Sequence, residues 1–82
     1  MTDYVDLEVL TQTQLKIMEI VEDWVKTEKT PIPKTKIVTE MKEKGVVEAT
    51  TQFGLLGLVK RSYLRKAIIV SNRAYFVQLR RV

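Results

Sequence analysis

The chain contains no cysteine and no histidine. The first absence removes disulfides, thiolate nucleophiles and cysteine-ligated zinc together, and it suits a reducing compartment. The second removes the commonest acid–base group near neutral pH and the commonest transition-metal ligand. Aspartate is scarce as well, present only as Asp3, Asp6 and Asp23. Catalysis would fall to Glu, Lys or Tyr, and no pocket-forming set of these is readable, so the chain reads as a non-enzyme without cofactor or metal. No apolar run approaches the ~20 residues that span a bilayer. The opening Met1-Thr2-Asp3-Tyr4-Val5-Asp6 is acidic and lacks the basic-then-apolar order of a secretory leader. No membrane contact is expected, and the default location is cytoplasmic. The most telling shortage is of acid in the last third: Ala49 to Val82 carries none, against seven basic residues.

What is present suits one small soluble domain. Eighty-two residues make a single domain, whose modest buried fraction calls for a compact, helix-rich core. Apolar residues make up 45% and charged residues 29%, a balance that argues against disorder. No repeat or low-complexity stretch interrupts it. The net charge of +4 conceals a division. Met1 to Ile32 holds seven acidic against three basic residues, a net of −4; Pro33 to Val82 holds eleven basic against three acidic, a net of +8. Such a dipolar chain turns one side towards a polyanion. Residues 1–9 read as an acidic arm ahead of a domain at residues 10–82.

The elements follow from pattern. Thr11-Gln12-Thr13-Gln14 fits a capping box, with Leu10 and Leu15 at the positions of a hydrophobic staple. Leu15, Ile17, Met18, Val21, Trp24 and Val25 then recur at helical spacing. That helix should end near Glu28, because Thr30-Pro31-Ile32-Pro33 cannot continue it. A second helix starts at about Pro33 with the stripe Ile37, Val38, Met41, and Gly45 fits its left-handed cap. A brief strand pairing is allowed around Thr30 to Ile32. The turn Gly45-Val46-Val47-Glu48 leads to a third helix that begins at Glu48 or Thr50 and runs to about Arg61. Thr51, Leu55, Leu58 and Val59 form its inner stripe; Phe53, Leu56 and Lys60 lie on another side. Gly54 and Gly57 within it are unusual: they serve close backbone approach to something, or they are a neutral accident or crowded packing against the first helix. Leu64, Ala67 to Val70 and Ala74 to Leu79 read as a hairpin around Ser71-Asn72-Arg73, with Tyr75, Val77 and Leu79 on its buried face.

The expected fold is mainly α with a small β-hairpin (α+β): a winged helix-turn-helix, three helices followed by a two-stranded wing. The residues Leu10 to Gln14, Ile17, Ile20, Val21, Pro31, Ile37, Leu55, Leu58 and Tyr63-Leu64 resemble the DNA-binding domain of LexA-type repressors. The same frame is similar to the winged-helix core of MarR-type regulators. The resemblance spans roughly Leu10 to Leu64 and implies DNA binding. It departs from the pattern at Ser62, where such families carry the glycine that ends the third helix, and it implies no SOS role, since no LexA protease half accompanies it.

Double-stranded DNA is therefore the expected partner, bound sequence-specifically by a small transcriptional regulator, with a phage or mobile element as a candidate source. A homodimer is the expected form. Base contacts fall to Glu48, Thr50, Thr51 and Gln52 early in the third helix, where small or polar side chains reach the major groove. Gln52 is the best reader, since its amide pairs bidentately with adenine; Glu48 could accept from cytosine. Thr51 also fits the core stripe. Phosphate contacts fall to Lys34, Lys36, Lys60 and Arg61, and wing contacts to Arg65, Lys66 and above all Arg73. Trp24 and Tyr75 could stack on bases, but their spacing favours a core or a dimer interface. Phe53 and Leu56 oppose the DNA reading: left uncovered, they mark a protein partner, and a protein-binding adaptor or inhibitor using that face and the acidic arm is the alternative.

Overall fold

The computed structural model describes residues 10–68 and 73–82. Three helices and three strands follow in the order α1 (Gln12–Glu28), β1 (Ile32–Pro33), α2 (Lys34–Glu43), α3 (Glu48–Lys60), β2 (Leu64–Ile68) and β3 (Ala74–Gln78). The acidic arm, the end of the first hairpin strand and Ser71-Asn72 of its turn lie outside the described residues. No helix among the described residues is long and apolar enough to cross a membrane.

Helix boundaries follow local chemistry. Thr11 caps α1 with the expected box: the Gln14 N–H donates to Thr11 Oγ1 at 3.1 Å, and the Thr11 N–H donates to Gln14 Oε1 at 3.0 Å. The helix ends at Glu28, with Lys29 left-handed at φ 56°. Pro33 stands one residue outside α2 as its N-cap, where its missing N–H is no loss. Both later helices close in the same way. Beyond α2, Gly45 N–H donates to Lys42 O and Val46 N–H to Met41 O, each at 2.9 Å, with Gly45 at φ 85°. Beyond α3, Ser62 N–H donates to Val59 O at 3.0 Å and Tyr63 N–H to Leu58 O at 2.9 Å, with Ser62 at φ 64°. These are Schellman motifs, which need a left-handed residue at the position after the cap. Ser62 thus adopts the conformation for which glycine is the ordinary choice.

The strands form one antiparallel sheet in the order β1-β3-β2. The sheet has three strands, not the two expected for the wing. The short β1 pairs Ile32 with Phe76 and Pro33 with Tyr75, tying the hairpin to the α1–α2 connection. Pro33 is tolerated because β1 is an edge strand. The inward face of β3 also differs from expectation. Phe76 is buried, Tyr75 and Val77 are half-buried, and Leu79 is exposed. Pairing with the buried Ile32 and packing on the helices selects that parity; a one-residue shift would turn the whole strand over.

The core gathers Ile17, Met18, Ile20 and Val21 of α1, Ile37 and Met41 of α2, Leu55 and Leu58 of α3, and Leu10, Ile32, Tyr63, Leu64 and Phe76. Leu15, assigned to the inner stripe of α1, is exposed, while Gln14 is buried in its place. The reason is the crossing of α1 and α3 at Gly54 and Gly57. A Cβ on Gly54 would come within 2.9 Å of Ile17 Cδ1, and one on Gly57 would collide with the Gln14 amide. The two glycines therefore serve helix packing.

Candidate nucleic-acid interface

α3 carries two unlike faces. Thr51, Gly54, Leu55 and Leu58 turn inward. Ala49, Gln52, Phe53, Leu56 and Lys60 are exposed, with Phe53 at 75% and Leu56 at 60%. Ala49, Phe53, Leu56 and Lys60 recur at intervals of four, three and four residues, which places them on one outward strip. No described residue covers it.

A groove runs between this helix, the start of α2 and the sheet. It is lined by Lys34 of α2, Gln52, Leu55, Leu56 and Val59 of α3, Lys66 of β2 and Phe76 of β3. Three residues expected from the sequence to contact DNA, drawn from three separate elements, thus meet at one surface. Strand register explains the choice of Lys66. It pairs with Phe76, and directly opposed residues share a face. Phe76 is buried towards the helices, so Lys66 lies on the α3 side of the sheet. Arg65 pairs with Val77 and takes the opposite face. The structure therefore separates two cations that are neighbours in the chain.

Gln52 is held in place from below. Its Nε2 donates to Glu48 Oε2 at 3.1 Å, and Lys42 Nζ stands 4.0 Å from Glu48 Oε1. Glu48, expected from sequence to accept from cytosine, instead bridges α2 and Gln52 across the turn. Because a carboxylate only accepts, this contact also fixes which end of the Gln52 amide carries the donors. Lys42 was not among the sequence candidates. Only geometry across the turn brings it to Glu48.

The remaining candidates divide. Thr50 is exposed on the first turn of α3, Lys60 is exposed at its end, and Arg61 is half-buried. Arg73 is exposed immediately before β3, while Asn72 beside it lies outside the described residues. Thr51 is fully buried, and its Oγ1 finds no hydrogen-bond partner. It cannot reach a base edge from there, so its core assignment replaces the base-reading one. Lys36 points away from the groove. Its ammonium sits 2.7 Å from Glu40 Oε2 and lines a depression with Asp23, Trp24, Thr27, Glu28 and Glu40. The hydrogen bond and charge of Glu40 raise its pKa above the ordinary 10.5, and Glu43 and Glu28 add to this. Lys36 therefore neutralises the acidic side of the molecule.

Three further side chains are committed to the fold. Trp24 packs on the core, and its indole N–H donates to Thr30 O at 3.0 Å, tying the α1–β1 loop to α1. Arg80 lies over the Tyr63 ring, 4.1 Å from its centroid, and donates to the Tyr63 hydroxyl at 3.3 Å. Gln78 donates to Glu22 Oε2 at 3.1 Å, which fastens β3 to α1. No group of acidic side chains that could hold a metal ion occurs among the described residues. No protein-family model, curated protein or solved structure matches this chain.

Proposed function

We propose that this chain is a winged helix-turn-helix that binds double-stranded DNA sequence-specifically, as a small regulator of transcription. In this reading α3 enters the major groove, and the β2–β3 hairpin is a basic wing along the backbone or minor groove. The observation that carries it is the groove shared by Lys34, Gln52 and Lys66. One amide able to pair with a base edge lines it together with two cations able to hold phosphates, and α3, β2 and β3 carry no acid beyond Glu48. The three-stranded sheet supports the same reading. β1 fastens the base of the hairpin to the body of the domain, so Lys66 holds a set position beside α3.

Duplex binding measured against salt, with a pool of random sequences, tests this. Arg73→Ala is expected to weaken binding to all duplexes and lower the log–log salt slope by about one unit. Gln52→Ala is expected to change sequence preference and leave the slope alone. If neither variant alters affinity or preference, α3 and the hairpin are not the reading surface.

The exposure of Phe53 and Leu56 favours a second reading, a protein-binding adaptor that buries this strip against a partner. A chain that passes through heparin and duplex columns at moderate salt, while capturing a protein through Phe53 and Leu56, would support it over the first.

A further inference from the structure

We infer that the apolar strip of α3 is itself a base reader, and that it recognises the C5-methyl groups of thymine. This rests on the DNA-binding reading above and specifies its target chemistry. Phe53 and Leu56 leave a large apolar surface in water, yet cations surround it: Lys34 and Lys66 across the groove, and Lys60 one turn further along α3. An apolar strip with a cationic border complements a polyanion that presents apolar groups inside a groove. In the major groove of a duplex, thymine is the base that presents one, and alanine and phenylalanine are among the side chains that contact it.

The hydrogen-bonding inventory leads to the same bases. From Glu48 to Val59, α3 holds no arginine, lysine, asparagine or aspartate. The bidentate partner of guanine is therefore missing from the part of the helix that would lie deepest. Gln52 offers the one exposed carboxamide there, and its chemistry suits the N6 and N7 edge of adenine. Glu48 fixes the amide's orientation and leaves its carbonyl oxygen and one N–H for such a pair. Gln52 and Leu56 are four residues apart on one face, with Phe53 beside them. Adenine read by the amide and thymine methyls read by Phe53 and Leu56 describe a run of A·T pairs.

Replacing thymine by uracil deletes the methyl and leaves phosphates, minor groove and Watson–Crick edges in place. The test compares the intact chain on a short alternating adenine–thymine duplex and on its adenine–uracil counterpart, by fluorescence anisotropy at fixed salt. Binding should weaken by about fourfold for each methyl group removed from beneath the strip. Phe53→Ala and Leu56→Ala should each shrink that ratio by a similar factor while leaving the salt slope unchanged. Both side chains are exposed, so neither change threatens the fold. Equal affinity of the unaltered chain for the two duplexes overturns the inference and leaves DNA binding standing. A thymine preference that survives in both variants also overturns it, because DNA shape would then be its source. Absence of binding to either duplex overturns the DNA reading together with this one. Self-association abolished by Phe53→Ala, seen by sedimentation, would overturn it by assigning the strip to a second copy instead.

Discussion

Thr51 and Ser62 hold the two residue-scale tensions in this fold. Thr51 has its hydroxyl in the core without a partner. A buried hydroxyl left unsatisfied costs about 1–3 kcal/mol, and valine has nearly the same shape without it. Thr51→Val is therefore expected to stabilise the domain by about 1 kcal/mol, seen as a melting temperature higher by roughly 4–8 °C, without loss of duplex binding. Ser62 sits at φ 64°, where a β-carbon crowds the following carbonyl. Ser62→Gly is expected to add on the order of 1 kcal/mol in urea unfolding, after the entropy of the added glycine is counted. Sequence pattern puts Thr51 on the inner stripe through its spacing to Leu55 and Leu58. Whether a neighbouring acceptor reaches its hydroxyl depends on the packing of other elements, which no spacing reports.

Elements were legible wherever a local rule acts. The capping box at Thr11 and Gln14, the left-handed cap at Gly45 and the inner stripes of α2 and α3 all occur as the residues imply, because each depends on contacts within a few positions. The parity of β3 was not legible. Tyr75, Val77 and Leu79 alternate as well as Ala74, Phe76 and Gln78 do, and only β1 and the helices choose between them. Gly54 and Gly57 left approach to a ligand, a neutral accident and packing against α1 all open, and the structure decides for α1. Gly57 faces the same Gln14 amide that completes the α1 cap, so the helix contact and the cap are coupled. Gly57→Ala should cost about 1 kcal/mol by displacing that side chain and opening the box. In a Gln14→Ala background the clash is gone, and the same change should stabilise by up to about 1 kcal/mol through helix propensity. Thermal unfolding of the two single variants and the double variant reads this reversal of sign.

At the scale of the whole molecule, cations close together in the chain are sent to different surroundings. Lys34 and Lys36 are two residues apart, yet one lines the groove and the other pairs with Glu40 on the acidic side. Lys34→Ala and Lys66→Ala are each expected to reduce the salt slope of duplex binding by about one unit. Lys36→Ala should leave both slope and affinity unchanged. The Lys36 ion pair gives no pH sensitivity in the neutral range. Its pKa is raised by folding, so its contribution is complete below 10.5 and fades only as pH climbs through the higher folded value.

Sequence by itself determined the three helices, the caps at Thr11 and Gly45, the pairing of two C-terminal strands and the asymmetry of charge, because periodicity, capping and turn chemistry act over a few residues. It also separated Leu55 and Leu58 from Phe53 and Leu56, since helical phase alone sorts them. Tertiary structure alone decided that β1 joins the sheet, that Phe76 faces the core, that Lys66 and not Arg65 meets Lys34 and Gln52, and that Thr51 is sealed inside. Those outcomes depend on strand register and helix crossing. Both are settled by how distant segments share one core, and a single chain's local pattern does not encode that choice.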